Sequence, residues 1–204
     1  VATTPNIYQA KVSLSGTTGL VLDNIDTADP ENPVAKEIKK ITDKDEMTTE
    51  DRKRKDWLAY HGALYLDDQK QLVMPYRCIK RALRSGAYVV GSTQLSGKID
   101  AGVSASTVEF PLDYVGPDVD KLYEDDRFKL RLMVNKNPSG KKAMVPSVRP
   151  ILPEWGLAFT LTVFNDVIGW DKLVRAIQAT GVSIGIGNAR KLGYGRFTAE
   201  VTQL

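Results

Sequence analysis

The chain has 204 residues, 42% of them apolar and 26% charged, the balance of one globular domain with a real core and not of a disordered or fibrous protein. It carries a single cysteine, Cys78, and a single histidine, His61, which excludes an internal disulfide framework, leaves the usual zinc ligand sets without donors and points to a reducing compartment, the cytoplasm. No apolar run reaches the ~18–20 residues that span a bilayer, and the opening VATTPNIYQAK lacks the basic-then-apolar pattern of a signal peptide.

Net charge is +3, but its distribution is uneven. Residues 1–127 hold 17 Lys and Arg against 21 Asp and Glu, a net of −4, while residues 128–204 hold 11 against 4, a net of +7. A basic last third points to a polyanionic partner. The alternative is self-association, with the basic part of one copy meeting the acidic part of another.

In chain order, NIYQAKVSLSG (6–16) alternates, with Ile7, Gln9, Val12 and Leu14 broken by Lys11 and Ser13, and reads as a first strand that TTGLVLDN continues after a bend at Gly16. DTADPENP (26–33) is turn chemistry, and 34–47 a short charged helix or mobile segment. Thr48 followed by Asp51 is the spacing of a reciprocal helix cap, so a helix is expected from 48 to about Gly62. LYLDDQKQLVMP (64–75) reads as a small hairpin. In 75–89, Pro75 suits a first helical turn and Ile79, Leu83 and Ala87 share one face, with Arg77, Lys80, Arg81 and Arg84 around it.

The Gly- and Ser-rich stretch 91–102 is expected as a flexible loop, 103–116 as strand-like, and 117–128 as an acidic, turn-rich segment. RFKLRLMVNK (127–136) alternates cleanly, with Phe128, Leu130, Leu132 and Val134 on one face. A lysine turn follows, and VPSVRPILPEWG carries three prolines and so is expected not to be a central strand. Residues 157–166 read as an apolar strand and 169–181 as a helix with Leu173, Val174 and Ile177 inward and Gly181 as its stop. The final strand has Phe197, Ala199 and Val201 on one side. Together these predict an α+β fold, a ferredoxin-like or RRM-like antiparallel sheet with helices on one face and inserted loops or hairpins, in a single domain over 1–204.

Catalytic and metal chemistry is sparse. His61 sits mid-helix beside Trp57 and Tyr60 and is expected as a satisfied or solvent-facing side chain. EDDR (124–127) and DKDE (43–46) read as solvated faces, so no catalytic residue, metal or cofactor is assigned. The phosphate-loop pattern is absent, and GIGNARKLG follows a helix and precedes a strand, the reverse of a dinucleotide fingerprint.

The segment GVSIGIGNARKLGYGRF (181–197) is different: five glycines surround three cations. Gly185 and Gly187 are expected to turn their N–H groups outward, Arg190, Lys191 and Arg196 to neutralise phosphates, and Tyr194 to stack on a base. An elaborate helix cap followed by a β-bulge is the architectural alternative, though it needs fewer glycines and none of the cations. Gly193, Tyr194, Gly195, Arg196 and Phe197 resemble the G-[FY]-G-R-[FV] ending of the C-terminal glycine-rich loop of the RAMP superfamily, RNA-binding proteins of CRISPR effector complexes built on a ferredoxin-like fold. The wider chain is also similar to a group of bacteriophage proteins through Val12 to Leu20, Trp57, Gly62, Tyr65, Pro75, Pro153 and Trp155.

The RAMP resemblance implies binding more than catalysis. The expected site is Gly185, Gly187, Asn188, Arg190, Lys191, Gly193, Tyr194, Gly195 and Arg196, joined by Lys136, Lys141, Lys142 and Arg149 of a hairpin at 135–150 that either projects over a strand or onto a neighbouring copy, or is a plain surface turn. The expected partner is single-stranded RNA or DNA, held without cleavage by an oligomer or a subunit of a larger complex. The rival readings are a phage structural protein assembling through its charged halves, and a nuclease using the acidic clusters.

Overall fold

The computed structural model describes residues 6–135 and 144–204. The strands are Ile7–Gly16 (β1), Leu20–Val21 (β2), Val73–Pro75 (β3), Val103–Ala105 (β4), Glu109–Tyr114 (β5), Lys129–Asn135 (β6), Met144–Leu152 (β7), Trp155–Phe164 (β8) and Phe197–Gln203 (β9). The α-helices are Pro33–Thr42 (α1), Thr49–Gly62 (α2), Tyr76–Gly102 (α3) and Trp170–Ala179 (α4). They divide into two compact units, one from the described parts of Val1–Leu20, Leu66–Val115 and Leu152–Leu204, the other from Val21–Tyr65 and Gly116–Ile151.

The first unit is built on an antiparallel sheet in the order β3-β5-β8-β1-β9, with β4 also pairing β8. Leaving aside the short β3 and β4, the chain runs β1, α3, β5, β8, α4, β9, and the spatial order β5-β8-β1-β9 is the ferredoxin-like arrangement expected from the sequence. The β1–β8 register sets Tyr8, Ala10, Val12 and Leu14 opposite Val163, Leu161, Phe159 and Leu157, all buried. Each of the Val, Leu and Phe side chains among them withdraws enough apolar area to contribute roughly 1.5–3 kcal/mol. The inward line begins at Tyr8, so Ile7 is 47% exposed. β2 does not extend β1 in this sheet but belongs to a second one.

Residues 91–102, expected as a loop, are helical, because α3 is two helices joined at Ser92 (φ 76°, ψ 179°). Lys80 and Asp100 would lie about 30 Å apart in a straight helix, yet Lys80 Nζ donates to the Asp100 carbonyl at 3.0 Å and Arg84 pairs with the Asp100 carboxylate at 2.8 Å. The chain therefore doubles back. Tyr76 closes the base of this helical hairpin by donating to the Val103 carbonyl at 3.0 Å, and burial, aided by Asp100, pushes its hydroxyl pKa up to about 12. The apolar pattern continues through the reversal: Ile79, Leu83 and Ala87 are buried in the first helix, Leu95 and Ile99 in the second. Glycine and serine hid a helix whose fourth-residue apolar spacing was present.

The second unit contains the sheet β2-β7-β6 and the pair α1 and α2. The Thr48–Asp51 cap forms as expected, the Thr48 hydroxyl accepting from Asp51 N and the Asp51 carboxylate from Thr48 N, both at 3.1 Å. A hydrogen bond from Lys44, then that from the Thr48 backbone, holds the Asp51 carboxyl below its ordinary range. Tyr60 is fully buried and donates to the Phe128 carbonyl at 3.0 Å.

The proline-rich segment expected to avoid a central position is β7, the middle strand of this sheet. Pro146 and Pro150 lie opposite Met133 and Lys129, four positions apart, so both turn the same backbone side. That side faces β2, where the Pro150 carbonyl accepts from Leu22 N at 3.0 Å. β2 is only two residues long, so the missing proline N–H groups cost the β6–β7 ladder nothing.

Candidate nucleic-acid interface

RRM-type domains read nucleic acid by stacking bases on aromatic side chains of the sheet. The corresponding face here is polar. Gln9, Lys11, Ser13 and Ser15 pair with Thr162, Thr160, Ala158 and Gly156, and Thr198, Glu200 and Thr202 flank them. Among the described residues of these three strands, Phe164, at the rim and 37% exposed, is the aromatic on that side. Stacking on the sheet is thus poorly provided for, and attention falls on the loop between α4 and β9.

That loop is a rigid structure. After α4 the chain makes one wide turn over Thr180–Ile184 and stops at Gly185 (φ 76°), whose N–H donates to the Thr180 carbonyl at 2.7 Å. The stop is therefore Gly185, not Gly181, and the Gly185 N–H points inward, contrary to the sequence expectation. Gly181 serves packing: a Cβ there would lie 2.2 Å from the Phe197 carbonyl. The two limbs of the loop then close on each other, with Ile186 N donating to the Gly195 carbonyl at 2.9 Å. A Cβ on Gly195 would sit 1.9 Å from the Ile186 carbonyl oxygen, an approach that only glycine permits. Ile186 is buried and anchors the limb.

A segment the sequence did not single out, Thr17–Gly19, latches this loop. The Thr18 hydroxyl donates to the Gly193 carbonyl and accepts from Arg196 N, each at 2.9 Å, while Gly195 N donates to the Gly19 carbonyl at 2.8 Å and Thr17 N to the Arg196 carbonyl at 2.8 Å. Trp155 braces the latch from Nε1 to the Thr18 carbonyl at 2.8 Å, over Gly16, where a Cβ would strike the indole at 2.3 Å. Thr18→Val removes both hydroxyl bonds. At this exposed position it should cost about 1 kcal/mol in urea denaturation, and a loss near zero would show that the latch does not hold the loop.

The cations sit on this frame. Arg190 to Leu192 form one tight turn between Ala189 and Gly193, both left-handed. Asn188 accepts from Ala189 N. Arg190 is half-buried, and burial first, with Arg81 and Arg196 beside it, pulls its pKa below the ordinary guanidinium value. Arg196 donates from Nη2 to the Arg190 carbonyl at 3.3 Å, and its buried Nη1 has no hydrogen-bond partner. Lys191 is exposed and Tyr194 half-buried. None of Arg81, Arg190, Lys191 and Arg196 is in an ion pair among the described residues.

Arg81 joins the group because α3 and α4 run antiparallel. Gly86 packs on Thr180 and the Ala176 carbonyl, while Gly91 lies beside Lys172 and Arg175, so the start of α3 approaches the loop. The sequence showed Arg81 as one of four cations around a helix, with nothing to separate it from the others.

Of the remaining expected site residues, Arg149 is on β7 of the second unit, 16% exposed, paired with Asp23 at 3.0 Å and bonded to Ser147 at 2.6 Å. Lys136, Lys141 and Lys142 lie outside the described residues. His61 stacks on Trp57 at 4.0 Å and donates from Nδ1 to the Trp57 carbonyl at 2.9 Å. Among the described residues no three of His, Cys, Asp and Glu converge as metal ligands, and Asp125 and Asp126 are taken up by Arg127 and Lys129. No described helix is long and apolar enough to cross a membrane.

No family model and no curated protein matches the chain. Solved structures do. A chain of the type III-B Cmr-beta complex bound to cognate target RNA matches at TM-score 0.50 and 13% identity over 97% of this chain and 61% of that one, so this chain spans about three fifths of its length. Cmr6 from Pyrococcus furiosus matches at TM-score 0.46 and 11% identity over 95% and 98%. The chain shares its fold with that chain of the Cmr-beta complex. In this chain the ferredoxin-like sheet lies in the first unit, and the glycine-rich loop leads into its last strand. The bacteriophage likeness receives no support from these two matches.

Proposed function

We propose that this protein holds the sugar–phosphate backbone of a single-stranded nucleic acid on its C-terminal glycine-rich loop, without cutting it. The observation that carries this reading is that Arg190 and Arg196 of the hydrogen-bonded loop meet Arg81 of α3, with Lys191 exposed on the same loop, and that none of them has a carboxylate partner among the described residues. Like charges held together in partial burial are unfavourable in the free protein, and a phosphate relieves that repulsion. The rigidity of the loop lowers the entropy cost of binding. Tyr194, half-buried in the same loop, offers an aromatic face for a base. Arg149 contributes less, because Asp23 already neutralises it.

Target RNA is bound in the Cmr-beta structure that shares the fold, which makes RNA the first probe. Labelled single strands should bind with a log K that falls linearly with log salt, by roughly 0.7 per phosphate contacted. Absence of binding to RNA and DNA at low salt overturns the reading. Release of shortened products by the purified protein overturns its non-catalytic part.

A further inference from the structure

A second cationic site lies on the helical side of the first unit. The second half of α3 and the start of α4 border an open groove lined by Gly91, Gln94, Leu95, Lys98, Lys172 and Arg175. Its volume, near 140 Å³, is below the roughly 300 Å³ at which pockets enclose whole small-molecule ligands. It suits one group of a longer chain.

Three features mark the group as anionic. Lys98, Lys172 and Arg175 have no ion pair among the described residues, although Arg84 on the same helical hairpin is matched to Asp100. In the second unit the cations beside aromatic rings are matched as well, Arg54 over Trp57 to Glu37 and Lys129 over Tyr123 to Asp126. Lys172 also stands in the first turn of α4, at the positive end of the helix dipole, where cations are disfavoured. Helix stability does not account for it.

The groove borders the start of the same helix, α4, that leads into the glycine-rich loop. Lys172 is eight residues before Thr180, about 12 Å at 1.5 Å per residue, and the glycine-rich loop begins just beyond. A strand leaving the loop along α4 meets the groove within a few nucleotides. We propose that the groove seats a second phosphate of the single-stranded nucleic acid held by the loop, so that the bound strand runs along the α3–α4 side of the unit. This rests on the proposed function.

The test compares the full-length wild type with Lys98→Gln/Lys172→Gln/Arg175→Gln on single-stranded RNA of about 4 nucleotides, which fills the loop alone, and of about 20, which reaches the groove. The variant should bind the short strand as wild type does. It should bind the long one roughly fivefold more weakly at 0.1 M salt, with a slope flatter by roughly 0.7, the worth of one phosphate. The exposed single change Lys172→Glu should act in the same direction and guards against a folding effect of the triple change. Unchanged binding of the long strand overturns the proposal, and so does an equal loss on both strands, which would place the cations' effect at the loop. If wild type binds neither strand, the parent reading fails and the groove proposal falls with it.

Discussion

Arg190→Ala combined with Lys191→Ala will weaken binding of every single strand tested by roughly 25-fold at 0.1 M salt, and will flatten the dependence of log K on log salt by roughly 1.4 units. Each phosphate neutralised on a single strand releases condensed counterions worth about 0.7 of slope, and two side chains are removed. The loss should not depend on base sequence, because both groups address the backbone. Neither side chain holds the frame together: the Arg190 bonds within the loop are made by its carbonyl, to Gly193 N and Arg196 Nη2, and Lys191 is exposed. Stability should therefore stay within about 0.5 kcal/mol of wild type or rise slightly as the crowding of Arg190 by Arg81 and Arg196 is relieved. A folded double variant that binds with unchanged affinity and slope would reduce the loop to a turn. Assembly through the charged halves of the chain would then lead.

Gly195→Ala should destabilise the protein by about 3 kcal/mol or more, while Gly193→Ala should cost only about 1–2 kcal/mol. Both glycines have left-handed backbones, φ 71° and φ 90°, and both variants incur the conformational cost of a side chain there. They differ in surroundings. The new methyl group at 195 would lie 1.9 Å from the Ile186 carbonyl oxygen, a backbone atom of the residue whose N–H is bonded to the Gly195 carbonyl, whereas at 193 nothing lies within 4 Å. Urea denaturation separates the two, and a cost below 1 kcal/mol at Gly195 would show that the limbs are not locked. The pair also sorts architecture from function. If the open face at Gly193 is where the strand approaches, Gly193→Ala should lose more affinity than its small stability cost explains.

Much of the fold was legible because its signals are local. Alternation marked β1, β6 and β9, an apolar run marked β8, and the spacing of Thr48 and Asp51 marked the start of α2 within one turn. The i, i+4 line of Ile79, Leu83 and Ala87 marked the first half of α3. In the loop, five glycines among three cations were visible as a composition that a plain turn does not need. Each signal involves residues a few positions apart, where backbone sterics and neighbouring side chains decide the conformation.

Local signals misled where distant residues outweighed them. Gly91, Ser92 and Gly97 argued for a loop at 91–102, but burial of Leu95 and Ile99 and the Arg84–Asp100 pair hold the segment helical. The prolines of β7 argued against a central strand, yet they face a neighbour too short to need their N–H groups. The site itself was only half legible. The sequence placed Arg190, Lys191 and Arg196 together, but the Thr18 latch comes from about 175 residues earlier and Arg81 from the antiparallel crossing of α3 and α4. Such convergence depends on sheet register and helix packing. These are decided by which apolar faces can be buried together across the whole first unit, and no window of a dozen residues contains that information.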